Sequence, residues 1–213
     1  MKKYQVLLAA LATLSLSAMA VAQKRPGEIK LSPKSDKGAV LIRVPTTPFT
    51  YALQFSKNGK SGFMSRVYIM KIEPAAPGYI YIARTLSPGR YRLDNAWQQG
   101  AWAACMEDGT FEFAIEPGKI AYLGTFEADG VLREIQAQAI ERGKTVVRGT
   151  DYMQGQAKVS EEMVTGRDAA GLAEAQRFAE SNMNGNGELV GLADVSGTSF
   201  QTSGFGKSIK TCG

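Results

Sequence analysis

Residues 79–126 read YIYIARTLSPGRYRLDNAWQQGAWAACMEDGTFEFAIEPGKIAYLGTF, and the punctuation of this stretch decides the fold. Pro88 with Gly89, Asp108 with Gly109 and Pro117 with Gly118 are turn dipeptides: proline presets φ for a tight turn and glycine accepts the positive φ that follows. Turns this close together leave room for strands, not helices. The pieces between them, 79–84, 90–94, 110–115 and 120–126, carry the Ile, Tyr, Phe and Leu that suit a pleated, half-buried surface. Alternation is clearest where Phe111, Phe113 and Ile115 share one face and Glu112 and Ala114 the other.

Working outward, the same texture runs upstream through 39–44, 49–55 and 63–72, punctuated by Asn58 with Gly59 and Pro77 with Gly78. About seven short strands in about 90 residues predict a mainly β fold, an antiparallel β-sandwich, with a barrel as the related alternative. Asn58–Gly59 and Asp108–Gly109 are the expected hairpins. Downstream of Asp129 and Gly130, residues 131–140 are read as a strand continuing the sheet, so the sandwich domain is expected to span 38–140. The segment 141–213 reads as an appendage. Within it, 168–182 is expected to be helical: Asp168 is a plausible N-cap, Leu172, Ala175 and Ala179 fall on one face, and Asn184 with Gly185 supply the stop. The rest, from Gly185, is a tail rich in Gly, Ser and Thr.

The first residues have the three parts of a secretory signal in order. Lys2 and Lys3 precede an apolar run over 6–16, and small residues end at Ala20, Val21 and Ala22. Cleavage is expected between Ala22 and Gln23, leaving 191 of the 213 residues. The apolar run is shorter than the roughly 20 residues that span a bilayer, and no cysteine follows it to take a lipid. The expected product is exported, with no membrane span, to the periplasm or beyond. Residues 23–37, with Pro26, Pro33 and several lysines, read as a flexible lead-in.

Composition narrows the chemistry further. The leader takes two lysines and no acid from a chain with 25 basic and 20 acidic residues, leaving a net charge of +3. The basic residues are scattered singly, at Arg43, Lys57, Lys60, Arg66, Lys71, Arg84 and Arg90, so no nucleic-acid partner is expected. With no histidine in the chain, the Ser-His-Asp and Cys-His nucleophile systems and the usual zinc sites are out of reach. No catalytic, cofactor or metal residue is assigned. Three triplets resemble the end of a phosphate loop, at 59–61, 143–145 and 206–208, but the glycine required five positions earlier is Gln54, Gln138 and Gln201. Carboxylate pairs are the one catalytic route left, for example Glu107 with Asp108 or Glu161 with Glu162. Neighbours on a strand point to opposite faces, which counts against joint action.

Two other features are candidate sites. Cys105 and Cys212 would meet an oxidising compartment and are expected to form a disulfide stapling the tail to the body. Trp97 and Trp102 bracket the turn-like Gln98, Gln99 and Gly100, near Tyr68, Tyr79, Tyr81 and Tyr91, and could form a ligand platform; core packing is the competing reading.

The strand over 67–72, the turn and strand of Leu86, Ser87, Pro88, Gly89, Arg90 and Tyr91, and the segment 115–124 together resemble small bacterial envelope proteins of unknown function. Those proteins carry a transthyretin-like or carboxypeptidase-regulatory-like β-sandwich. The resemblance is confined to residues 66–126, under half of the expected mature chain. Many of its members are lipid-anchored, and this chain has no lipidation cysteine. It implies an accessory or interaction module with no catalytic residues to carry over. The expected function is therefore that of a non-enzymatic, exported β-sandwich binding another envelope protein or a glycan. The alternatives are a carboxylate-dependent hydrolase of envelope polysaccharide and a purely structural envelope protein.

Overall fold

In the computed structural model, the described residues are 25–45, 52–57, 66–70, 78–98, 102–106, 111–126, 157–159, 164–197 and 200–206. Eight strands fall before residue 127: β1 (Gly38–Pro45), β2 (Ala52–Lys57), β3 (Arg66–Met70), β4 (Tyr79–Leu86), β5 (Gly89–Gln98), β6 (Trp102–Met106), β7 (Glu112–Ile115) and β8 (Ile120–Phe126). They are followed by β9 (Ala157–Val159), β10 (Val164–Thr165), helix α1 (Ala169–Asn182), β11 (Val190–Leu192), β12 (Val195–Ser196) and β13 (Phe200–Gly206).

Two sheets face each other. The first runs β10-β8-β1-β4, with β11 also on β8. The second is built around β5, flanked by β2 on one side and by β6 and β7 on the other, and extends to β3, β12, β13 and β9. The fold is mainly β and sandwich-like. Most pairings are antiparallel, and β1 and β11 run parallel to β8. Two of the Pro-Gly turns are corners between the sheets: 87–88 leads from β4 into β5, and 116–119 leads from β7 into β8. Tyr91 ties down the first corner, its hydroxyl donating to the Ser87 carbonyl at 2.8 Å while its ring stacks on Phe113 in the core. Gly118 makes the second possible, with φ of 69° and no room for a side chain against Pro33.

The residues that alternate inward fill the space between the sheets: Val40, Ile42, Val44, Leu53, Phe55, Leu93, Phe113, Ile115, Leu123 and Phe126 are all buried there. Each such side chain contributes about 1.5–3 kcal/mol. Strand β1 is buried on both faces because the other side of its sheet is covered as well. Ala39, Leu41, Ile120 and Tyr122 pack under α1, against Ala175, Ala179 and Met183. The small residues at fourfold spacing let the helix lie close to the sheet.

The helix is the one the sequence predicts, with Asp168 accepting a 2.7 Å bond from the Gly171 amide as N-cap and the chain turning at Asn184 (φ 59°) and Gly185 (φ 74°). Other expectations need correction. The lead-in docks: Ile29 and Leu31 are buried beside α1, and the Asn184 side-chain amide donates to the carbonyls of Gly27 and Ile29, both at 3.2 Å. Two apolar side chains suffice because α1 and sheet one present a complementary apolar wall. Strands β9 to β13 are integral to the two sheets instead of an appendage to a domain ending at 140, and the glycine-rich tail supplies β11, β12 and β13.

The Asp108–Gly109 hairpin is also replaced. Both flanking strands pair with β5, end to end, with Asn95 opposite Cys105 and Arg92 opposite Glu112. Strands β6 and β7 therefore run in the same direction, and residues 107–110 between them lie outside the described residues. The Asn58–Gly59 expectation fares better, since β2 and β3 pair antiparallel around residues 58–65. Residues 131–140 lie outside the described residues.

Candidate functional site

At the end of sheet one where β1 leaves the core, the face under α1 turns from apolar to polar. Strand register dictates this: Ala39 and Leu41 are followed on the same face by Arg43, which pairs with Tyr81 on β4 and Thr125 on β8. The shift from Leu41–Tyr122 to Arg43–Thr125 is a bulge, and Gly124 (φ 101°) takes the strained position in it. The bulge brings Tyr122 and Thr125 onto the same side. Helix α1 adds Glu174 and Phe178 from above.

Arg43 Nη1 donates to Glu174 Oε2 at 3.0 Å, in an ion pair whose side chains keep 20% and 42% exposure, so solvent reaches it. The guanidinium lies 4.0 Å from the centroid of the Tyr79 ring, which is itself half exposed. Tyr81 stacks on Phe178 at 4.2 Å between centroids and lies 6.5 Å from the Tyr122 ring. Burial, followed by the nearness of Tyr122 and Glu174, pushes the Tyr81 hydroxyl up to about 12. Burial also raises the Tyr122 hydroxyl, against a smaller opposing pull from Thr125 and Arg43.

Three polar atoms here are buried without a hydrogen-bond partner: Arg43 Nε, Tyr81 Oη and Tyr122 Oη. Tyr81 lies beside Glu174 and Tyr122 beside Thr125, but neither hydroxyl reaches bonding geometry. An orphaned buried donor costs about 1–3 kcal/mol, so three converging on one solvent-reaching ion pair is an arrangement suited to an acceptor ligand. Nearby, Arg167 is a fixture of the fold. Its guanidinium fills the gap between β10 and β11, donating to the carbonyls of Leu123 at 3.1 Å and Ala193 at 2.7 Å.

A second polar row crosses sheet two, where Gln54 pairs with Asn95 and Asn95 with Cys105. Gln54 Oε1 and Asn95 Oδ1 are buried without partners, while Ser56 donates to Asp94 at 2.9 Å. Gln54, Asn95 and Cys105 are each at most 5% exposed, so this row is interior and does not face a solvent ligand.

Of the residues singled out from sequence, positions 97 and 102 lie near the facing ends of β5 and β6. Trp97 pairs with Ala103 and Trp102 with Gln98, which places positions 97 and 102 on opposite faces of sheet two. Tyr91 is core, whereas Tyr79 and Tyr81 belong to the Arg43 cluster. Cys105 is buried on β6; Cys212, Ala22, Gln23, Glu107, Asp108, Glu161 and Glu162 lie outside the described residues. Among the described residues there is no group of three acidic or cysteine side chains placed to hold a metal ion, and no helix long and apolar enough to cross a membrane.

Sequence reasoning did not single out Glu174, Tyr122 or Arg167, and it listed Arg43 only among scattered charges. The available signal was the polar interruption of an apolar strand by Arg43 within Ala39–Val44. Compared with known protein families, with characterised proteins and with solved structures, the chain matches none of them.

Proposed function

We propose that this chain is an exported, non-enzymatic β-sandwich protein that binds another component of the bacterial cell envelope, in the periplasm, after cleavage between Ala22 and Gln23. The observation that carries the reading is the cluster around Arg43: buried donors without partners, gathered at an ion pair open to solvent. Such a site can hold a ligand. It has little means to transform one, since the chain has no histidine and Asp168 is held in the helix cap. The export leader and the resemblance of residues 66–126 to small envelope proteins support the same reading. The docked segment from Pro26 onward begins beyond the cleavage point, so removing the leader leaves the packing of Ile29 and Leu31 intact.

The test is capture from a bacterial envelope extract by the purified mature protein with crosslinking, in parallel with Arg43→Gln. A component retained by the wild type and lost with the variant is expected. No retained component, or equal retention by both, overturns the reading.

A further inference from the structure

Arg43 holds the only carboxylate that the described cluster offers it, and that carboxylate is replaceable. Glu174 sits on the exposed rim of the ion pair at 42% exposure and contacts one guanidinium nitrogen, Nη1, at 3.0 Å. The Nε of the same guanidinium is buried and unpartnered, as are the two tyrosine hydroxyls beside it. Arginine recognises a carboxylate best through two parallel N–H donors, and here only part of that fork is engaged. Arg43 Cζ lies over the Tyr79 ring at 4.0 Å from its centroid, a contact that helps to hold the guanidinium in place. Every orphaned atom in the cluster can donate a hydrogen bond, and Tyr81 and Tyr122, held neutral by burial, keep their protons to do so.

From this arrangement we infer that the Arg43, Tyr81 and Tyr122 cluster is a carboxylate-binding site, and that Glu174 is its internal stand-in, displaced when a carboxylate-bearing ligand arrives. This rests on the binding role proposed above and names the chemical class that the site takes. The ligand's carboxylate would accept from Arg43 Nε and from one or both hydroxyls. Glu174, at its rim position on α1, would turn to water. The site is autoinhibited in mild form, because an intramolecular carboxylate competes at a high effective concentration.

The experiment is a titration of the mature protein with acetate, followed by the Arg43 side-chain N–H and tyrosine ring resonances, with acetamide as the uncharged probe of the same shape and inorganic phosphate as the other common oxyanion. Glu174→Gln removes the stand-in and should tighten acetate binding about tenfold, a size typical of one charge-assisted hydrogen bond. Arg43→Gln should abolish binding, Tyr122→Phe should weaken it several-fold, and acetamide should not bind. Arg43→Lys keeps the charge and loses the fork, so it guards against misreading an unfolded Arg43→Gln. Acetate binding that is unchanged in Glu174→Gln, or retained in both Arg43 variants with the fold intact by circular dichroism, overturns the inference. Preference for phosphate over acetate overturns the assigned class. Acetate binding with no envelope component captured would sink the proposed function and leave this site standing.

Discussion

Tyr81 shows how a single side chain can register the state of the whole site. Its hydroxyl is buried between sheet one and α1, close to Tyr122 and Glu174, and ionises only near about 12 instead of 10.0. A raised pKa means the folded state holds the proton more tightly than the unfolded state does. The corresponding stability is complete below pH 10.0 and is lost as pH rises from there towards about 12. Tyrosinate absorbance should therefore show Tyr81 ionising late, together with unfolding, and Tyr81→Phe should remove that late component. A normal, reversible titration of every tyrosine below pH 11 would contradict the buried placement. Position 81 was visible in the sequence as one aromatic among several. Its burial was not, because that depends on Phe178, which arrives from a helix about a hundred residues later.

At the scale of elements, the helix was legible for local reasons and the short strands were not. Asp168, Ala175, Ala179 and the Asn184–Gly185 stop are signals carried within the segment itself. Strand β6 was missed because Ala103 and Ala104 carry little strand character and the Trp97–Trp102 interval reads as turn. In the structure β5 and β6 pair antiparallel on either side of it. Strands β10, β11 and β12 have two or three residues each, too few for any alternation to show. Asp108–Gly109 misled because turn chemistry says that the chain bends without saying which strand its flanks will pair with.

One prediction belongs to α1. Alanine in place of a helical glycine ordinarily stabilises by about 1 kcal/mol, but at Gly171 the added methyl group would fall on the Gly166 carbonyl oxygen. Gly171→Ala should therefore destabilise, by about 1–3 kcal/mol in denaturant melts, as over-packing does. A more stable variant would mean the helix does not approach so closely.

For the whole molecule, the mainly β, two-sheet architecture was legible because turn spacing and strand composition agree over residues 38–126. The extent of the sandwich was not, since β9 to β13 join it through backbone pairing and leave little mark in side-chain pattern. The staple proposed between Cys105 and Cys212 is decided by peptide mapping without reduction. A peptide joining the two cysteines is expected, and a reduced protein should be less stable by about 4–5 kcal/mol for a loop of about 100 residues. Separate, alkylatable thiols would refute it. Strand β13 runs antiparallel to β6 with Gly204 opposite Cys105 and Gly206 opposite Ala103, and Cys212 lies outside the described residues.

The position of β13 also governs timing. Strand β6 and its neighbour β9 are joined through a strand that ends at Gly206, and β8 is completed by β10 and β11. Sheet one therefore lacks a strand until β11, ending at Leu192, is in place, and sheet two lacks one until β13, ending at Gly206, is in place. A product cut short before β13 would keep the strands of sheet one and leave β6 as an open edge of sheet two, prone to pair with its own copies.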